Sequence, residues 1–478
     1  MSTMTSTAFL PALLASGGDS RISVPRGANV NRYGASPFPR ATLGYASSTA
    51  NDISLDAFRH LERVAAALPA GALQDADHYA AALEGLRARL RAQWALDPAT
   101  DMVFAPSGTD LEYVALALAA AHSARPVTNL LLGADEVGSG CILSAAGRHF
   151  ANENALGLPI VKGDPVEGLG DTRLAGIPVR EAGEALTCSA VRDAIDAAAR
   201  EAKAQGRHLL AHVVHGSKTG LVLPDLGAID ELLDRHGPDL SFVVDACQAR
   251  LEGSELQAYL DRGCVVLVTG SKFMGGPPFS GFALVPPALA PRAPLPEGLA
   301  RVFRRGEWPV GWRACTALPV DANPGLLLRL EASLFELEAF NAVAADARAR
   351  VIGAFGAAVR ALGERLGARL VPPSLGGAGL HLATLATLDL SALAGSPDIV
   401  VAQRWHRVLA ARGLRLGQPV KCVARADGGW AGTLRISLSM PLIREFAALA
   451  ADALPARLAS DMRRVAEVIE AAQRPVVA

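Results

Sequence analysis

Two apolar runs in this 478-residue chain end directly on ionisable side chains. Residues 242–244 lead into Asp245-Ala246-Cys247-Gln248, and residues 265–268 lead into Thr269-Gly270-Ser271-Lys272 and then Gly275-Gly276-Pro277-Pro278. Short β-branched runs of this kind read as buried strands of a parallel sheet, and in open α/β sheets ligands gather at the strands' carboxyl ends. An acid and a lysine on neighbouring strand ends fit a plain ion pair. They also fit a site for a pyridine aldehyde cofactor, in which the amine forms a Schiff base and the carboxylate keeps the ring nitrogen protonated so that the ring accepts electrons.

Other groups bear on the choice. A strand-like run at 102–106 leads into Ser107-Gly108-Thr109-Asp110 and a helical run at 111–122. Free amides and the helix dipole at such a turn make an anion cradle, although an ordinary capped turn looks the same in sequence. Arg435 sits in the apolar run 434–438, where a planar guanidinium needs an anion in reach: a ligand carboxylate or a structural partner. Residues 1–50 are irregular and carry Arg21, Arg26, Asn31, Arg32, Tyr33 and Arg40 among turn-forming residues. They read either as a poorly ordered terminus or as an ordered arm over a site.

Three further signals are set aside. His208, His212 and His215 suggest zinc, but on a strand the first two face one side and the third the other. Gly216-Ser217-Lys218-Thr219 lacks the frame of a phosphate loop and precedes an extended segment. Gly376, Gly377 and Gly379 are too generic for a dinucleotide motif.

The elements that must position these groups alternate as in a parallel sheet. Residues 54–96 carry helical spacing for two helices, with Ser54 as a cap. Strand-like and helical segments follow at 129–132, 141–150, 177–179, 189–204 and 209–214, and this rhythm runs to about residue 286. A proline-rich stretch then marks a boundary. One long helix is expected over 325–355, its core stripe carrying Leu327, Leu330, Leu334, Leu337 and Phe340. Short strands at 381–388 and 434–438 mix with helices at 400–412, 443–450 and 456–472. The division expected is an N-terminal arm and helix over 1–74, a large domain over 75–290 and a small α+β domain over 291–478.

Composition limits the classes available. The net charge is −1 and no long basic run occurs, so nothing points to nucleic acid or an anionic membrane. Half the residues are hydrophobic, yet no run is long enough to span a bilayer, and the apolar patch near residues 9–14 lacks the basic flank of a signal peptide. The six cysteines, at 141, 188, 247, 264, 315 and 422, lack CxxC pairing and read as reduced thiols of a cytoplasmic protein.

Taken together, Asp245-Ala246-Cys247-Gln248, the lysine loop 269–272, the cup 107–109 and Leu434-Arg435-Ile436-Ser437-Leu438 resemble the fold type I pyridoxal phosphate enzymes, and within them the class V aminotransferase and cysteine desulfurase group. The resemblance covers about residues 100–290 and returns at 410–440. It implies an α/β fold with a large, mostly parallel sheet of the seven-stranded type and a smaller α+β domain. It also implies a homodimer with the site at the subunit interface. Pyridoxal 5'-phosphate would be carried on Lys272, with Asp245 on the pyridinium nitrogen and Gln248 near the phenolic oxygen. Ser107, Gly108, Thr109, Thr269 and Ser271 would hold the phosphate. Ser217 stands where relatives often carry an asparagine that contacts the phenolic oxygen. Arg435 would grip an amino acid's carboxylate, with Asn31 and Tyr33 of the arm beside the substrate.

Two departures matter. Where relatives place an aromatic residue on the ring, residues 133–140 offer none, which leaves Glu136, Val137 or a residue from elsewhere to cover it. The segment 415–422 resembles a desulfurase cysteine loop with altered spacing and no paired histidines, so Cys422 is either a nucleophile beside Lys421 or an idle thiol. The reading favoured is a class V aminotransferase. A C–S lyase or desulfurase is the alternative, and a binding protein without catalysis is the second.

Overall fold

The structure is a computed structural model that describes residues 6–134, 136–138, 140–371 and 379–473, with side chains from Leu10 onward. Gly376 and Gly377 of the glycine cluster, with Asp135 and Ser139 of the 133–140 segment, lie outside the described residues.

The largest sheet carries the chemistry-bearing strand ends. Its strands lie in the order Asp101–Ala105, Gly281–Val285, Val265–Thr269, Leu240–Asp245, His208–His215, Val127–Leu132 and Arg173–Ile177, with the short Val222–Leu223 paired antiparallel to the end of His208–His215. Gly281–Val285 runs antiparallel to both its neighbours, and every other pair along this path is parallel. Val265–Thr269, Gly281–Val285 and His208–His215 are buried at every position, which is why their sequences read as continuous rather than alternating apolar runs. Asp245 stands opposite Leu267 on one side and Val214 on the other, so its carboxylate belongs to the middle of the sheet's carboxyl edge.

A three-stranded antiparallel sheet, Arg369–Leu370, Leu385–Asp389 and Thr433–Ser437, forms with the helices of the C-terminal third. Leu43–Tyr45 of the N-terminal segment pairs in parallel with Leu414–Leu416, so the arm is woven into that part of the molecule. Ser54 caps the helix Leu55–Ala67 by accepting a hydrogen bond from the Ala57 amide, as the sequence predicts.

Several expected elements change. The long helix over 325–355 is two helices, Pro324–Asn341 and Ala345–Leu366, broken at an extended Ala344 just beyond Phe340, the last residue of the predicted stripe. The first is buried almost all round and the second packs on Ala453–Gln473, so one straight rod could not serve both surfaces. The strand expected at 177–179 is Arg173–Ile177, and only Cys141–Ala145 of 141–150 is helical. The strand at 381–388 begins as a tight turn over Leu382–Thr384 before Leu385–Asp389.

The helix Pro324–Asn341 meets the arm at close range. A Cβ built on Gly325 would stand 2.4 Å from the Ser16 carbonyl oxygen and 2.5 Å from that of Leu13. Alanine ordinarily favours a helix over glycine by up to about 1 kcal/mol. Here Gly325→Ala is expected to destabilise instead, by about 1–3 kcal/mol, because the backbone it strikes cannot rotate away. Chemical denaturation of the two proteins measures it, and a neutral or stabilising result would contradict the contact.

Candidate active site

Lys272 and Asp245 line the same cavity, of about 240 Å³, at the carboxyl edge of the large sheet. Among the described residues no ion pair joins them, so the simplest reading of two neighbouring ionisable strand ends does not apply. Asp245 Oδ1 accepts from the Cys247 amide at 3.0 Å. Lys272 follows Thr269 by three residues, and Asn51 of the N-terminal segment fixes this loop by donating from Nδ2 to the carbonyls of Ser271 (3.0 Å) and Lys272 (2.7 Å). The Lys272 amine is thus carried on a clamped backbone.

The predicted cup lies at the same cavity. Ser107, Gly108, Thr109, Thr269 and Ser271 all line it. A Cβ on Gly108 would come within 3.0 Å of Thr269 Cγ2 and 3.3 Å of Cys247 Sγ, so glycine lets the two strand-end loops approach each other. Thr269 Oγ1 donates to the Cys247 carbonyl at 2.7 Å, which ties the lysine loop to the aspartate loop. Arg21 reaches the cup from the arm: Nη1 is 3.2 Å from Thr109 Oγ1 and Nη2 is 3.3 Å from Ser107 Oγ. Asp110, beside the cup, receives the Ser107 hydroxyl at 2.6 Å. Burial, and then the charge of Asp19, push the Asp110 carboxyl up to about 7, against the Ser107 hydrogen bond and Arg21.

Arg435 occupies another wall of the cavity. It is 3% exposed, and burial lowers its pKa to about 10. Nε donates to the Gln418 carbonyl (2.8 Å), Nη1 to those of Ser48 and Lys218 (both 3.2 Å) and Nη2 to Thr49 Oγ1 (3.1 Å). A guanidinium has five N–H donors, so among the described residues one donor on Nη2 is left over. No described carboxylate pairs with it. The nearby Glu136 is spent elsewhere, on Arg180 Nε at 2.8 Å, on the Ser217 hydroxyl at 2.8 Å and on the Thr219 amide at 3.1 Å.

The remaining predicted residues divide. Ser217 and Gln248 line the cavity, with Gln248 Nε2 donating to the Ser48 carbonyl and its Oε1 buried without a partner. Tyr33 lines it too, whereas Asn31 does not. The Asn31 side-chain oxygen accepts from the amides of Tyr33 and Ala35, which makes it a turn former that sets Tyr33 in place. Cys422 is also outside the lining. It is 1% exposed, and burial pushes its thiol up to about 12, so the thiolate a nucleophile needs is disfavoured. The three histidines go to different partners: His208 to Ser241 and the Pro238 carbonyl, His215 to the Tyr259 hydroxyl, and His212 against Glu112 at 3.5 Å.

Sequence reasoning missed the cavity-lining roles of Ser48, Thr49, Lys218, Cys141 and Phe279. Of these, Lys218 alone sits in a segment the sequence singled out, 216–219, and no local signal marks the others. It also missed a buried pair behind Asp245. Neither ring nitrogen of His212 has a hydrogen-bond partner, Glu112 Oε2 has none, and burial followed by the charge of Asp245 raises the Glu112 carboxyl well above its usual range. Burial therefore disfavours the ionised form of Glu112.

No family model matches the chain, and no curated protein matches it in sequence. Solved structures do match in fold. A NifS-like protein from Rickettsia africae ESF-5 is 11% identical, with 90% of this chain and 99% of that chain covered at a TM-score of 0.56. Cysteine desulfurase from Thermococcus onnurineus NA1 is 14% identical over 87% of this chain and 95% of its own, at 0.54. Serine palmitoyltransferase from S. paucimobilis, solved with a bound PLP–myriocin aldimine, is 13% identical over 90% and 87%, at 0.52. The chain has the α/β fold these proteins share, in agreement with the fold class read from its sequence.

The raised Asp110 pKa carries a signed consequence. Its folded value of about 7 lies above the ordinary 3.8, so the unfolded chain ionises first as pH rises and stability falls between about pH 4 and 7. Asp110→Asn removes that loss. The melting-temperature gain of the variant over wild type is expected to grow from pH 4.5 to pH 7.5, and a gain independent of pH would refute the assignment.

Proposed function

We propose that this protein is a pyridoxal phosphate-dependent enzyme acting at the α-carbon of an amino acid, with transamination as its reaction. One observation carries the reading: a lysine and an aspartate that do not pair with each other share a cavity with a hydroxyl cup and with a buried arginine that has no described carboxylate. The donor set fits the cofactor. Lys272 offers the amine, Asp245 the carboxylate for a pyridinium, Ser107, Thr109, Thr269 and Ser271 the hydroxyls for a phosphate, and Gln248 Oε1 is an orphaned buried acceptor on the wall. When bound, pyridoxal phosphate supplies an aldehyde that condenses with amines and a ring that takes up the electron pair left on the α-carbon.

The chain's own residues do the rest. Asp245 would hold the proton on the ring nitrogen, with Glu112, whose ionised form burial disfavours, close by. Arg435 receives the substrate carboxylate through its spare Nη2 donor and fixes which bond at the α-carbon faces Lys272. Lys272 takes the α-proton and returns one on the other side of the reacting system. Val137 gives the cavity an apolar wall that limits water.

The sulfur-transfer alternative is disfavoured, since Cys422, the thiol the sequence offers for it, lies outside the cavity lining and burial pushes its pKa up to about 12. The homodimer, the cytoplasmic setting and the division at about residues 74 and 290 belong to the same proposal. The reduced cysteines support the setting, and no described helix is long and apolar enough to cross a membrane.

Purified protein loaded with pyridoxal phosphate is expected to show a visible absorbance band that Lys272→Ala abolishes. An unchanged band in that variant would sink the proposal. Offered a panel of amino acids, the wild type should release a keto acid and leave pyridoxamine phosphate, and sulfide release would favour the alternative. Arg435→Gln is expected to keep the band and raise KM by roughly ten- to a hundredfold, the range for hydrogen bonds to a charged group. Cys422→Ala should retain keto-acid production.

A further inference from the structure

We propose that Arg21, carried by the N-terminal arm, is the cation that binds the cofactor's phosphate and makes the site select the phosphorylated aldehyde over pyridoxal. This deepens the reading above and rests on it.

Arg21 comes from a part of the chain 86 and 88 residues away from the two hydroxyls it meets. Its fork has two edges. One edge, Nε and Nη2, is held by Asp19 at 2.8 and 2.7 Å. The other points Nη1 and Nη2 at Thr109 Oγ1 and Ser107 Oγ, at distances near the long end of the hydrogen-bond range. Both hydroxyls belong to the cup, so an anion seated there would be reached by the hydroxyls and the guanidinium together. The plane of the fork is fixed by two rings, Phe150 at 4.7 Å and Phe279 at 5.2 Å from the guanidinium carbon. Two aromatic faces keep the cation in place without neutralising it.

The arm itself is anchored. Asn323 and Arg329, on or next to the helix Pro324–Asn341, donate to the carbonyl of Gly17, and Arg329 Nε also donates to the Phe279 carbonyl at 2.7 Å. The ring that stacks on Arg21 and the segment that carries Arg21 are therefore held by one side chain. A phosphate dianion needs such a cation because an acid, Asp110, stands beside the cup; Asp19 offsets part of the Arg21 charge but takes one edge of its fork and leaves the other facing the cup.

The test compares pyridoxal phosphate with pyridoxal on wild type, Arg21→Ala and Arg21→Gln by equilibrium binding. The variants are expected to weaken pyridoxal phosphate about tenfold or more, the scale of a charge-assisted hydrogen bond, and to leave pyridoxal within about twofold. Equal weakening of both ligands would mean that Arg21 only pins the arm, and no weakening of either would mean it plays no part; each overturns the proposal. If Ala does not fold, Gln keeps a hydrogen-bonding side chain between the two rings and reads the same ratio. Inorganic phosphate provides an arm independent of the cofactor. It should raise the melting temperature of the cofactor-free wild type and not that of the variants, and an equal rise in both would overturn the proposal. If wild type shows no visible band with either aldehyde, the cofactor reading fails, while the inorganic phosphate comparison still decides the role of Arg21.

Discussion

A guanidinium buried without a carboxylate holds the two halves of the site together. Arg329 is 0% exposed, and its N–H groups donate to the carbonyls of Leu14, Ser16 and Gly17 in the arm and of Phe279 beyond the lysine loop. Burial lowers its pKa to about 9, so the charge is retained at neutral pH at a cost that four carbonyl dipoles offset. Those carbonyls lie at the end of the helix Ser6–Leu14 and in irregular chain that has no ladder to join, so the guanidinium supplies donors that the backbone there does not, with Asn323 as a second donor at Gly17. The arm is thereby committed to the sheet edge, and everything it brings follows: Arg21 to the cup, Tyr33, Ser48 and Thr49 to the cavity wall, and Asn51 to the lysine loop.

The same device recurs. Arg250 and Arg435 are also fully or nearly buried and are held by carbonyl and hydroxyl oxygens rather than by carboxylates. A carboxylate partner offsets part of the charge and takes an edge of the fork, as Asp19 does at Arg21. Oxygen dipoles satisfy most of the donors while leaving the net charge in place, and that is what a site for anionic groups requires. Arg250 does not line the cavity, but it lies under the lysine loop with its guanidinium carbon 5.0 Å from the Phe273 ring. Burial, and then the charge of Arg435, lower its pKa to about 9.

Local chemistry was readable in the sequence wherever a motif spans a few residues. The strand ends at Asp245 and Lys272, the cup at 107–109 and the arginine at 435 each announce themselves by residue type next to an apolar run, and the structure places all of them on one cavity. What could not be read depends on contacts across hundreds of residues. Arg415 binds the Ala50 carbonyl, Arg435 that of Ser48, and Asn51 those of Ser271 and Lys272, and nothing around residues 48–51 distinguishes them from an ordinary loop. Asn31 shows the converse limit. Its residue type suits a ligand contact and an Asx turn equally, and the two amides that its side chain receives decide for the turn. The helix expected across 325–355 failed because periodicity records which residues are buried and not the direction of the surface that buries them.

Residues 133–140 show how a departure from a family pattern can be resolved by counting bonds. Glu136 and Val137 were both candidates to lie over a cofactor ring. Glu136 accepts from Arg180, from the Ser217 and Thr219 hydroxyls and from the Thr219 amide, so both its oxygens are committed. A carboxylate saturated in this way cannot turn toward a ring without breaking the 217–219 segment, whose Lys218 carbonyl in turn steadies Arg435. Glu136 therefore works as a bracket for Arg435. Val137, one residue on and 4% exposed, is left to supply the apolar surface, with Tyr33 and Phe279 bringing aromatic rings from the arm and the lysine loop. Both rings line the cavity and come from the same two segments that Arg329 binds together.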